Sequence, residues 1–338
     1  MINFASHLKD IVRQKEKELN QDIIRMHKRE RVFPFSKNLE SSEFTINQIR
    51  FNYPALDASY LNIAKFYQIK SNELILTAGC DIALRTIYEA LENISCVHLP
   101  NSCYAMNFVY KRIYHPSTNI KDYEFDERGE VNVDKLILKI SQNTGLQMLV
   151  IESPSGFTGQ GLQETEFKKL LDYCESHNII LVVDETYLET RNYTWTAKKY
   201  ISFDNLIIVS SFSKAHGIAG LRAGMIVSNS KNIKILNSLL PMHEITSFTN
   251  YLLNKVINDE SLNFFIDQIN EDENLIFEQL NEKKGFKILR TNTNFVLFKN
   301  HYFSCKFIHD FLLDNQIKVK IHKNVPYFGE WCSASLGN

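Results

Sequence analysis

The chain has 338 residues, of which 44% are hydrophobic, 12% aromatic and 23% charged. That is enough apolar side chain to offset the entropy of ordering, which excludes a disordered protein, and the length allows about two domains. Lys and Arg number 38 against 39 Asp and Glu, a net charge of -1, so nothing marks the chain for nucleic acid or another polyanion.

Residues 1–31 read as a polar, amphipathic helix with Phe4, Leu8, Ile11 and Val12 on one face and no apolar signal-peptide core. From Leu74 onward, short apolar runs alternate with helical spacing. Residues 74–77 form a strand closed by Ala78-Gly79, and 81–91 follow as a helix. Residues 96–99 are a strand stopped by Pro100, and 148–152 are another, stopped by Ser153-Pro154. Residues 165–177 are a helix with Phe167, Leu170, Leu171 and Cys174 on one stripe. The apolar run 179–183 ends in Asp184, and 206–209 ends in Ser210-Ser211. Near-continuous apolar strands separated by helices predict an α/β fold with a mainly parallel sheet covered on both faces. Helical segments at 231–240 and 247–280 then lead to strands at 295–298 and 317–321, predicting a smaller α+β domain. The expected organisation is an arm at 1–49 joining the small domain, a large domain at 50–235 and the small domain at 236–338. No apolar run approaches a membrane span. Cys80, Cys96, Cys103, Cys174, Cys305 and Cys332 lie far apart with no CxxC pair. They read as reduced thiols in a cytoplasmic protein, and no metal is expected.

Open α/β sheets bind their ligands beyond the carboxyl ends of the strands. Four polar clusters end strands here: Gly79-Cys80-Asp81, 153–159, 184–187 and 211–214. Their convergence predicts a site for a small anionic molecule. The sharpest segment, 210–224, reads Ser-Ser-Phe-Ser-Lys-Ala-His-Gly-Ile-Ala-Gly-Leu-Arg-Ala-Gly. A lysine past a strand end among hydroxyl residues is suited to forming an imine with a carbonyl. Ser211, Ser213 and Arg222, eight residues beyond Lys214, can hold a dianionic phosphate beside it. A lone lysine in such a loop is ordinarily a surface residue. The whole run, however, resembles the SxSKxxGxxGxRxG signature of fold type I pyridoxal-phosphate enzymes.

Four further segments carry the same resemblance. In Val182-Val183-Asp184-Glu185-Thr186-Tyr187, a strand-end Asp184 would pair with the pyridinium nitrogen of the cofactor and keep it protonated, while Tyr187 would donate to its phenolic oxygen. Thr77-Ala78-Gly79-Cys80-Asp81 resembles the phosphate cup, a helix start whose amides bind phosphate, with Gly79, Cys80 and Asp81 at the cup. Pro100-Asn101-Ser102-Cys103-Tyr104-Ala105-Met106 resembles the segment whose tyrosine stacks on the pyridine ring, which makes Tyr104 the candidate. Asn52-Tyr53-Pro54 resembles the segment whose tyrosine reaches the cofactor phosphate of the neighbouring subunit, which implies a homodimer. Together these motifs resemble class I/II aminotransferases, closest in spacing to the histidinol-phosphate aminotransferase branch. The resemblance implies pyridoxal 5′-phosphate, a fold type I architecture and small-molecule amine and keto substrates.

Two places break the pattern. Gly156, in Ser153-Pro154-Ser155-Gly156-Phe157-Thr158-Gly159, replaces an asparagine that donates to the cofactor's phenolic oxygen, which would leave Tyr187 as the only side-chain donor there. In Trp331-Cys332-Ser333-Ala334-Ser335-Leu336-Gly337, the family's carboxylate-clamping arginine falls on Ser333, and Lys320 sits where the family often carries a second arginine. The expectation is an aminotransferase with atypical substrate recognition and poor activity on ordinary α-amino acids. A lyase such as a phospho-amino-acid decarboxylase, and a degenerate cofactor binder, are the alternatives.

Overall fold

Apolar runs buried on both faces dominate the chain, and the computed structural model, which describes residues 23–31, 35–36, 53–325 and 327–337, contains a seven-stranded sheet, a four-stranded sheet and a two-stranded one. Strand β1 (Ile24–Arg25) comes first, followed by α1 (Asp57–Tyr67) and β2 (Leu74–Thr77). Next come α2 (Cys80–Ala90), β3 (Cys96–Pro100), α3 (Met106–Tyr114), β4 (Asn119–Tyr123) and α4 (Val133–Ser141). Then follow β5 (Gln147–Glu152), α5 (Glu164–Ser176), β6 (Ile179–Asp184), β7 (Leu206–Ser211) and β8 (Gly224–Val227). Helices α6 (Ser230–Asn237), α7 (Ser247–Val256) and α8 (Ser261–Leu280) lead to β9 (Phe286–Leu289) and β10 (Phe295–Asn300). The described chain closes with α9 (Cys305–Asp314), β11 (Ile317–Lys318), β12 (Lys320–Val325) and β13 (Gly329–Ser335).

The large sheet has seven strands in the order β2-β8-β7-β6-β5-β3-β4. All its pairs are parallel except those of β8, which runs antiparallel to β2 and β7. The β7–β8 link, 212–223, contains no crossover helix, so the chain turns back instead of crossing over. Alternate residues of each strand feed opposite cores. Leu149, Ile151, Leu181 and Val183 pack with Phe167, Leu170 and Leu171 of α5 on one face. Met148, Val150 and Val182 pack with Leu84 and Ile87 of α2 on the other. The smaller sheet is antiparallel, β12-β13-β10-β9, and α8 lays Phe265 and Ile269 against it. Among the described residues no helix is long and apolar enough to cross a membrane.

Three expectations change. Residues 23–31 are not helical: β1 pairs in parallel with β11, Ile24 N donating to Gln316 O at 2.7 Å and Met26 N to Lys318 O at 3.0 Å. Phe4, Leu8, Ile11 and Val12 lie outside the described residues. The helical run 247–280 breaks between α7 and α8, where Asp259 accepts from Ser261 N at 3.0 Å and starts a new helix. The strand read at 317–321 divides at Val319, its two parts pairing with β1 and with β13.

Because β2 is parallel to β7, the strands β2, β3, β5, β6 and β7 all end on one edge, where β8 begins. Gly224, opposite both Thr77 and Ser211, presses its backbone onto the start of α2. A Cβ there would lie 2.6 Å from the carbonyl carbon of Gly79 and 2.8 Å from Cys80 N, both backbone atoms that cannot swing away. Gly224→Ala should therefore destabilise the protein by about 1–3 kcal/mol. A lower urea midpoint at constant slope is expected; an unchanged midpoint would show that α2 is free to move.

Candidate active site

Gly79, at φ +82°, starts α2, whose first turn has no side-chain cap. Arg222, itself at φ +54°, lays its guanidinium directly on this turn: a Cβ on Gly79 would sit 2.8 Å from Arg222 Nη2. That nitrogen donates to Asp81 Oδ2 at 3.0 Å, and Tyr104 Oη donates to Asp81 Oδ1 at 2.6 Å, so Asp81 orients both. Ser213 N donates to Ser211 Oγ at 3.1 Å, shaping the loop that carries Lys214. Cys80 Sγ lies 3.3 Å from Thr186 Oγ1 and 3.2 Å from Ser210 O, and burial raises its thiol pKa. Uncapped helix amides beside a guanidinium form a place for a phosphate-sized anion.

Asp184 ends β6 as a buried carboxyl that accepts from Thr186 N at 2.9 Å, and burial raises its pKa. The β5–β6 register sets Glu152 beside it. Glu152 accepts from Tyr104 N at 2.6 Å and from Gly156 N at 3.1 Å. Burial first, then the charge of Asp184, pushes its pKa up to about 7. Glu152 was missed in the sequence, although the criterion that picked Asp184, an acid closing an apolar strand, applies to it equally.

Lys214 Nζ donates to Lys28 O at 2.9 Å and lies 5.7 Å from the centre of the Tyr187 ring. Burial opposes ionisation of Tyr187, but Lys214, Arg29 and Lys320 outweigh it and lower its pKa. Tyr187 is not alone beside Gly156. Arg29 Nη1 donates to Tyr187 Oη at 3.3 Å and also bonds the Gly156 carbonyl. A Cβ on Gly156 would meet Tyr187 Cε2 at 2.9 Å, so the tyrosine ring fills the space where a larger residue would go. No local signal pointed to Arg29, because its partners stand more than a hundred residues away in sequence.

Arg29 Nη2 is 3.1 Å from His322 Nε2 and 3.5 Å from Ser333 Oγ. A guanidinium only donates, so Nε2 must accept and the His322 proton sits on Nδ1. Burial, then Arg29 and Lys320, lowers the His322 pKa to about 2, which keeps it neutral. Lys320 stands opposite Ser333 in the β12–β13 register, with its ammonium 5.9 Å from the Phe157 ring. Tyr53 is the candidate the structure does not bring into this network: its ring is 81% exposed and stacks on His243 at 4.5 Å.

The raised pKa of Glu152 has a consequence for stability. Below about pH 4.5 the acid is protonated folded and unfolded, and no penalty applies; above about pH 7 the folded state holds a buried carboxylate. Glu152→Gln removes that penalty. Its stability relative to the parent should rise by up to about 3 kcal/mol between pH 4.5 and 8. A difference that stays flat in denaturation measurements across this range would contradict the assignment.

Comparison with known proteins agrees with this geometry. Residues 19–322 match the family of class I and II aminotransferases. A histidinol-phosphate aminotransferase of Clostridium novyi (strain NT) is 27% identical over 275 residues, 80% of this chain and 74% of that one. The crystal structure of a protein described as a putative histidinol-phosphate aminotransferase from Erwinia carotovora atroseptica superposes with a TM-score of 0.81 at 20% identity, over 94% of this chain and 92% of that one. The Sinorhizobium meliloti histidinol-phosphate aminotransferase, solved in complex with pyridoxal-5′-phosphate, gives 0.80 at 16% identity, over 98% and 92%. The chain belongs to the class I and II aminotransferase family and is a fold type I, pyridoxal-phosphate-dependent aminotransferase.

Proposed function

We propose that the enzyme moves an amino group between an anion-bearing amine or amino acid and a carbonyl compound, with Lys214 as the residue that holds the cofactor covalently. The observation that carries this reading is the meeting, at one sheet edge, of Lys214, the buried Asp184 and an uncapped helix start flanked by Arg222. These residues fit pyridoxal 5′-phosphate. The cup of Gly79, Cys80 and Asp81 amides with Arg222, Ser211 and Ser213 suits its phosphate, and a buried carboxylate needs a cationic partner such as a protonated ring nitrogen. When bound, the cofactor supplies a carbonyl that accepts an amine and a ring that withdraws electrons from the amine-bearing carbon.

The chain's own residues do the rest. Asp184 would hold a proton on the cofactor's ring nitrogen. Lys214 Nζ, which the Lys28 carbonyl orients, takes and returns a proton at the substrate carbon. Tyr187 Oη accepts from Arg29, so its own proton is free to be donated toward the cofactor's oxygen. Tyr104, fixed by Asp81 and by the hydrogen bond from its backbone N–H to Glu152, would pack against the cofactor ring. The exposed Tyr53 supports a homodimer in which it reaches the partner subunit.

Borohydride treatment of the holoenzyme should fix the cofactor's mass on the peptide that contains Lys214, and Lys214→Ala should abolish the adduct. An adduct retained in Lys214→Ala, or found on another lysine, would refute the assignment.

A further inference from the structure

We propose that Arg29 binds the substrate's carboxylate, so that this enzyme recognises α-amino acids through a guanidinium carried on its N-terminal segment; the proposal rests on the aminotransferase reading above.

Arg29 is only 3% exposed, and its partners are all neutral: the Gly156 carbonyl, the Tyr187 hydroxyl, His322 Nε2 and Ser333 Oγ. Among the described residues no carboxylate lies within ion-pair distance of it, and its Nε has no hydrogen-bond partner. A buried cation held by neutral acceptors gains from an arriving anion without first breaking a salt bridge. The guanidinium lies 3.5 Å from the centre of the Phe295 ring, a cation–π contact that holds it in place, and a carboxylate would replace neutral acceptors on Nη1 and Nη2 with a charged one.

The backbone is set for this placement. Arg29 has φ +55°, a left-handed conformation that is strained for an arginine, and Asn294 Nδ2 holds its carbonyl at 3.1 Å. Two residues on, Arg31 donates to Ala215 O at 2.9 Å and to Ser261 Oγ at 2.6 Å, which pins the segment across the Lys214 loop. In an α-amino acid the carboxylate is bonded to the carbon that carries the amine, so its receptor must stand near the reacting lysine. Arg29 Cζ and Lys214 Nζ lie 5.6 and 5.7 Å from the centre of the same Tyr187 ring. Lys320 is the weaker candidate. It is a single point charge facing solvent, and partial desolvation, then Arg29, lowers its pKa to about 8. On this reading Ser333 does not make ordinary α-amino acids poor substrates, because a guanidinium reaches Ser333 from elsewhere in the chain.

L-alanine and ethylamine, which differ only by the carboxylate, are mixed separately with the holoenzyme and single-turnover amino transfer is followed by the cofactor's absorbance. Arg29→Met should slow L-alanine about 100-fold more than it slows ethylamine, the loss common to both amines reading the contact of Arg29 with Tyr187. Arg29→Lys, which keeps the charge and loses the fork, should fall between. Adding Ser333→Arg to Arg29→Met should restore at least tenfold for L-alanine. Equal losses for both amines, no loss for either, or a parent enzyme that does not prefer L-alanine would overturn the proposal. Borohydride trapping at Lys214 separates the two readings. Trapping without carboxylate discrimination sinks only the role of Arg29, whereas no trapping in the parent sinks the cofactor assignment.

Discussion

The burial of two neighbouring carboxyl groups, Glu152 and Asp184, sets the electrostatics of the active site. Glu152 and Asp184 close adjacent parallel strands in register; burial raises the pKa of both, and the charge of Asp184 raises that of Glu152 further. One acid can be charged there only beside a cation, and the cations converge from three separate parts of the chain: Lys214 after β7, Lys320 at the start of β12 and Arg29 ahead of the whole large sheet. Tyr187 sits between them, its phenol made more acidic by all three. At the start of α2, Arg222 is instead paired with Asp81.

The segment 23–31 ties these elements together. It adds a strand beside β11, receives Ser335 N on the Met26 carbonyl at 2.9 Å, orients Lys214 through Lys28, and crosses to Ala215 and Ser261 through Arg31. Its bonds therefore reach β11, β13, the 212–223 loop and α8. On the proposed roles, substrate specificity and cofactor attachment would be physically separate: Lys214, Asp184 and the start of α2 stand at the edge of the large sheet, while Arg29, Lys320, His322 and Ser333 come from outside it.

The legible parts of this protein were those whose physics is local. The runs at 74–77, 148–152, 179–183 and 206–209 are apolar on both faces because helices cover both, and they appear as strands with nearly the same limits. The Ser-Phe-Ser-Lys run and the Gly79 turn announced themselves because glycine and hydroxyl spacing encode backbone geometry directly. The antiparallel entry of β8 was hidden, since direction depends on the path of the 212–223 loop and not on the strand's residues. Residues 23–31 misled as a helix because their polarity suits either conformation, and pairing with the distant β11 decides the matter. Arg29 was illegible for the same reason: burial against Phe295 and Ser333 is a property of the folded chain.

The central claim is that this site transfers an amino group. The direct measurement mixes the holoenzyme with an amino donor, releases the cofactor with acid and identifies it, while carbon dioxide is collected. Amino transfer gives pyridoxamine 5′-phosphate and the donor's carbonyl product in equal amounts, with no carbon dioxide. Carbon dioxide with the cofactor unchanged, or no conversion by any donor, would contradict it.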